Sequence, residues 1–160
     1  MGTGKSTVGK LLADKLKRPF IDLDRMIEKS AGSTVAQIFS EQGEGKFRQL
    51  ETEAVRKAVK KPGVVIATGG GVLLKEENLR LLKGAGTLVC LTAGVDQIMR
   101  RIGAGRGRRP LLAGEDPRRR VEDLLAQRAP YYAQANCTIS TDGLTAKQAA
   151  EKIKKELNLS

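Results

Sequence analysis

Apolar residues follow two rhythms along this chain, a helical one and that of buried strands. Between Ser6 and Lys17 they fall at Val8, Leu11, Leu12 and Leu16, the spacing of one helical face. Pro19 stops that helix, and Phe20-Ile21-Asp22-Leu23-Asp24 alternates as a strand does. Ser33 stands where an N-cap belongs, before Val35, Ile38 and Phe39, and strong helix formers predict a further helix from Lys46 to Lys60. Pro62-Gly63 breaks it. Two unbroken apolar runs, Val64-Val65-Ile66-Ala67-Thr68 and Thr87-Leu88-Val89-Cys90-Leu91, predict strands buried on both faces. A short helix from Glu76 to Leu82 lies between them, and Val95 to Ile102 is helical again. Gly103-Ala104-Gly105-Arg106-Gly107 ends regular structure, and Pro117 opens a helix running to Tyr132. Cys137 to Thr141 predicts the last strand, and Thr145-Ala146-Lys147-Gln148 is a capping box for the last helix.

Strands alternating with helices predict an α/β fold, a three-layer α/β/α arrangement around a parallel sheet. No repeat or linker divides residues 1–160, and that length buries roughly 70% of the unfolded surface as one domain. Aromatics make up 3% of the chain, so the core must come from Leu, Ile, Val and Ala. No apolar run nears the roughly 20 residues of a membrane helix, and the N-terminus is too glycine-rich and polar for a signal peptide. A cytoplasmic protein is expected. Cys90 and Cys137 then read as reduced thiols rather than a disulfide. With no histidine, proton transfer and metal binding fall to other side chains.

The net charge of +11 raises nucleic acid as a partner. Eight arginines, however, crowd between Arg100 and Arg120, with no aromatic residue beside them for stacking on bases. Guanidinium forks concentrated in this way suit a polyphosphate better.

Four segments carry chemistry. Gly2-Thr3-Gly4-Lys5-Ser6-Thr7 before a helix is the back end of a phosphate-binding loop, G-x-x-x-x-G-K-[ST], whose first glycine would lie two residues before Met1. Its backbone N–H groups and the helix N-terminus receive phosphate, Lys5 neutralises it, and Ser6 offers a hydroxyl to Mg²⁺. Asp22 and Asp24, two apart on a strand, share a face at its carboxyl end; a cap on the following helix is an equal reading for Asp24. Gly69-Gly70-Gly71 suits close approach of a ligand to the main chain. The stretch from Arg101 to Pro117 has the composition of a mobile lid or of a basic loop. Phe47-Arg48-Gln49-Leu50-Glu51 alone reads as a helix with an exposed charge pair.

In this order, and across the whole chain, these segments resemble the shikimate kinases of the nucleoside-monophosphate-kinase-like P-loop group. The resemblance implies a sheet of order 2-3-1-4-5 whose first strand is absent from this chain. That absence would leave unpaired backbone groups and an apolar slot, and a start further upstream is the simplest expectation. It implies ATP binding by Gly2, Thr3, Gly4, Lys5, Ser6, Thr7, Arg101 and Arg109. Shikimate would be bound by Asp24, Arg48, Gly70, Gly71 and Arg128, with Arg48 and Arg128 on its carboxylate. Asp24 would be the general base, with Lys5 and Arg109 also catalytic, and Mg²⁺ would be held by Ser6 and, through water, Asp22. A shikimate-binding helical segment would span about 25–60 and a lid about 103–117. The expected partners are ATP and shikimate, without membrane or nucleic acid, in a monomer. The alternatives are a gluconate- or nucleotide-type kinase and a truncated, non-catalytic nucleotide-binding module.

Overall fold

The structure, a computed structural model, describes residues 2–104 and 116–159. Seven helices and four short strands alternate along them. Helix α1 (Lys5–Lys15) leads to β1 (Phe20–Asp22), α2 (Leu23–Ala31) and α3 (Val35–Ala58). Strand β2 (Val65–Ala67), a 3₁₀ turn (Val72–Leu74) and α4 (Glu76–Ala85) follow, then β3 (Val89–Thr92) and α5 (Val95–Ala104). After residue 115 come α6 (Pro117–Tyr132), β4 (Cys137–Ser140) and α7 (Ala146–Glu156).

All strand pairing is parallel, as the βαβ alternation requires. The described strands form two pairs rather than one sheet: β1 with β2, from Phe20 opposite Val65 to Asp22 opposite Ala67, and β3 with β4, from Val89 opposite Cys137 to Thr92 opposite Ser140. The unbroken apolar runs are accordingly half-buried, not fully buried: Val65, Ile66 and all of β3 keep partial exposure. Val89 faces Cys137 across the β3–β4 ladder, and both cysteines are free thiols. Two apolar clusters flank the strands. Leu23, Ile27, Ile38, Phe47, Val55 and Val72 anchor one, beneath α2 and α3. Val8, Leu12, Ile139, Ala150 and Ile153 anchor the other, between α1 and α7.

Several boundaries move for local reasons. Asp22 caps α2, its Oδ1 accepting from the N–H groups of Asp24 and Arg25 at 3.1 and 3.3 Å, so the strand ends there. Asp22 and Asp24 therefore do not share a strand face; Asp24 sits in a helical first turn, and the cap belongs to its neighbour. Thr34, not Ser33, caps α3, in a capping box with Gln37. The two helices expected between Ser33 and Lys60 are one element with a break at Gly43 (φ 80°, ψ 169°), a backbone region open essentially to glycine alone. Helix α5 continues past the expected stop to Ala104. The capping box at Thr145 and Gln148 and the proline start at Pro117 stand where the sequence puts them. Among the described residues no helix is long and apolar enough to cross a membrane.

Candidate active site

Helix α1 begins without the usual side-chain cap. Its N-cap, Gly4, adopts the left-handed conformation (φ 85°) and makes no side-chain cap hydrogen bond. The N-terminus of the helix thus presents its dipole at the loop. Gly2 is also left-handed (φ 66°), and a Cβ there would stand 3.1 Å from Ile98 Cγ2, so the turn requires glycine on two counts. Thr3 is buried, and its Oγ1 has no partner among the described residues.

Arg101 braces this loop from α5. One guanidinium nitrogen donates to Thr141 Oγ1 at 2.9 Å and to the Gly2 carbonyl at 3.3 Å, the other to the Thr141 carbonyl at 3.1 Å. Thr141 Oγ1 in turn donates to the Thr92 carbonyl at 3.0 Å. The ends of β3 and β4 and the phosphate loop are thereby tied to one side chain.

Facing the loop across a cavity of about 1020 Å³ is a group of charges on α2, α3 and α6. Burial raises the Asp24 carboxyl above its ordinary value; Asp22 and Glu28 add to the rise, while Lys5 and Arg48 oppose it. Arg48 donates to Glu51 Oε2 at 2.9 Å and to Glu44 Oε1 at 2.8 Å, and its guanidinium lies 5.3 Å from the Phe47 ring centre. Glu51 is 1% exposed and Arg48 half-buried, so the charge pair expected on the surface is largely covered. Burial raises the Glu51 carboxyl as well, with Asp24 adding to the rise and Arg48 and Arg128 opposing it. Its Oε1 has no hydrogen-bond partner among the described residues. Arg128, on α6, is buried, and its Nε likewise lacks one.

The triple glycine has a steric explanation. A Cβ at Gly69 would lie 2.9 Å from Glu51 Oε1 and 3.2 Å from Asp24 Oδ1; at Gly71 it would lie 2.7 Å from two Arg48 nitrogens. A Cβ at Gly69 or Gly71 would therefore require the end of Glu51 or Arg48 to shift. Tyr132 closes the other side, its hydroxyl donating to the Gly70 carbonyl at 2.6 Å.

Of the residues singled out in the sequence, Gly2 to Thr7, Asp24, Arg48, Gly70, Gly71, Arg101 and Arg128 line this one cavity. Asp22, the α2 cap, is not among the lining residues. Arg109 and nearly all of the expected lid lie outside the described residues. Glu51 and Tyr132 went unrecognised. A glutamate three residues after Arg48 on a helix was the available signal for the first; no local pattern marks the second.

Comparison with known proteins agrees with this geometry. The family model described as shikimate kinase matches residues 1–158. A shikimate kinase of Thermodesulfovibrio yellowstonii is 46% identical over 156 residues, covering 98% of this chain and 90% of that one. One from Caldanaerobacter subterraneus is 46% identical over 153 residues, 96% of this chain and 89% of the other. Among solved structures, shikimate kinase from Acinetobacter baumannii in complex with shikimate superposes with a TM-score of 0.93 at 38% identity, over 99% of this chain and 89% of that one. The enzyme from Bacteroides thetaiotaomicron gives 0.92 at 34% identity, over 99% and 94%. A phosphate loop facing two arginines and a carboxylate, with matches that run almost from end to end, places this chain in the shikimate kinase family.

Proposed function

We propose that this chain transfers the γ-phosphoryl group of ATP to the 3-hydroxyl of shikimate, giving ADP and shikimate 3-phosphate in aromatic amino acid biosynthesis. The observation that carries the reading is the convergence of Asp24, Arg48 and Arg128 on one cavity with the loop from Gly2 to Thr7. An anionic acceptor that also carries a hydroxyl matches two cations and a carboxylate gathered on one cavity.

In this reading Arg48 and Arg128 grip the acceptor carboxylate and fix its orientation. The backbone of Gly70 and Gly71 flanks the ring. Asp24 accepts the proton of the attacking hydroxyl as its oxygen bonds to the γ-phosphorus and the bond to the β–γ bridging oxygen breaks. The raised affinity of Asp24 for a proton suits that task. Lys5 and the N-terminal N–H groups of α1 hold the phosphates, and Arg109 joins them from the lid at about 103–117. Arg101 borders the nucleotide, and residues from about 25 to 60 form the acceptor-binding segment.

The donors near the loop fit Mg²⁺. Ser6 is exposed at the start of α1, and Asp22 spends one carboxylate oxygen on capping α2 and retains the other. Among the described residues no cluster of three acidic, histidine or cysteine side chains forms a metal cage. A hard cation that keeps water and phosphate oxygens in its shell suits such a sparse set. Ser6 would hold it directly and Asp22 through water, and bound there it would neutralise phosphate charge. The protein would act as a cytoplasmic monomer.

An assay coupling ADP release to shikimate, gluconate and a nucleoside monophosphate in turn tests the reading. ADP formation that depends on shikimate is expected. Equal rates with all three acceptors, or none with shikimate, would sink it.

A further inference from the structure

We infer that Tyr132 is a positioning residue for the acceptor and works through the peptide that joins Gly70 to Gly71; the inference rests on the acceptor site proposed above. Tyr132 ends α6, and its hydroxyl donates to the Gly70 carbonyl at 2.6 Å. Arg128, one helical turn earlier, stands near enough for its charge to act on that hydroxyl. The Tyr132 bond ties the end of α6 to the glycine segment between β2 and the 3₁₀ turn.

The position of that link matters. In a trans peptide the carbonyl and the following N–H point to opposite sides, and the described residues hold no cis bond. Fixing the Gly70 oxygen toward α6 therefore turns the Gly71 N–H away from it, among the residues lining the cavity. The turn's own bonds run from Val72 N–H to the Gly69 carbonyl at 3.4 Å and from Leu74 N–H to the Gly71 carbonyl at 3.1 Å. Neither engages the Gly70–Gly71 peptide, so its plane is set from outside the turn. Glycines on both sides leave that plane otherwise free to rotate. Across the segment, Gly71 packs directly on the Arg48 guanidinium, where a Cβ would stand 2.7 Å from two of its nitrogens. Tyr132 thus sets the backbone donor of the glycine that packs against Arg48.

Tyr132→Phe tests this, with Tyr131→Phe as the neighbouring control. The expected result is a KM for shikimate raised about tenfold, the worth of one well-placed hydrogen bond. KM for ATP and kcat should change less than about twofold, and the melt should stay cooperative. In the ligand-free variant the Gly71 amide and Gly70 carbonyl resonances should shift, whereas Tyr131→Phe should leave them in place. An unchanged KM for shikimate, an equal rise in both KM values, or loss of the fold would each make Tyr132 a structural tie and overturn the proposal. If the unaltered protein fails to phosphorylate shikimate, the functional reading falls by itself; the Gly70 and Gly71 resonances still decide whether Tyr132 sets their peptide.

Discussion

The two sides of the cavity are made of different materials. On the side proposed for phosphate the lining consists of the loop from Gly2 to Thr7, glycines and one lysine among them, braced by Arg101. On the acceptor side they are charged side chains packed against one another: Asp24, Arg48, Glu51 and Arg128, with glycine backbone pressed between them. A polyphosphate offers the same oxygen atoms whatever it is attached to, and backbone dipoles suffice to receive it. A small hydroxylated acid must be held by its particular pattern of charge and hydroxyls. That requires side chains from three helices, and their burial costs stability. The phosphate side is a general device, whereas the acceptor side is specific and strained by like charge.

The largest expected effect breaks the acceptor side at its chemical centre. Asp24→Asn should lower kcat by about 10² to 10⁴, the range of a lost general base, with KM for ATP nearly unchanged. A variant within tenfold of the parent would remove Asp24 from the reaction. Next comes Arg48→Lys, which keeps the charge but loses the fork. KM for shikimate should rise about tenfold to a hundredfold, while KM for ATP stays level. The complementary change, Arg101→Met, should raise KM for ATP and spare shikimate; a reversed pattern would erase the division between the two sides.

Smaller in scale is Gly71→Ala, which forces a methyl group against the Arg48 guanidinium. A loss of about 1–3 kcal/mol, shared between melting temperature and shikimate binding, is expected from overpacking of this kind.

The smallest effect concerns stability alone. Asp24 holds its proton more tightly in the folded than in the unfolded state, its pKa raised from an ordinary 3.8. The folded state therefore binds more protons between those two values, so stability falls as pH rises through that interval. The neutral Asn of Asp24→Asn escapes that loss. Its melting temperature should exceed the parent's by a few degrees at pH 8, and the gap should close as pH approaches 4. A gap that widens in acid would reverse the sign of the argument.

The same contrast explains what could be read from the chain. The phosphate loop is contiguous, so the spacing of Gly2, Gly4, Lys5 and Ser6 carries it whole. The capping box at Thr145 and the proline at the start of α6 are local too, and they stand as expected, as does the parallel sense of the strand pairs. Asp22 and Asp24 were legible as a pair but assigned to a strand, because alternation over five residues concealed a cap after the third. Glu51 looked exposed because helix position alone does not reveal which face another element covers. Tyr132 meets Gly70 from 62 residues away, and no window along the chain contains both. Burial of the strands was overread because an unbroken apolar run predicts cover on both faces, while Val65, Ile66 and all of β3 keep partial exposure.

The break at Gly43 divides α3 into a short arm with Val35, Ala36 and Phe39 on the cavity and a long arm with Arg48 and Glu51. Because the backbone ladder is interrupted there, a change of side-chain volume on the short arm need not shift the register of the long one. For laboratory evolution this makes residues 35–39 a cassette: acceptors of altered ring size can be sought there while the carboxylate clamp keeps its place.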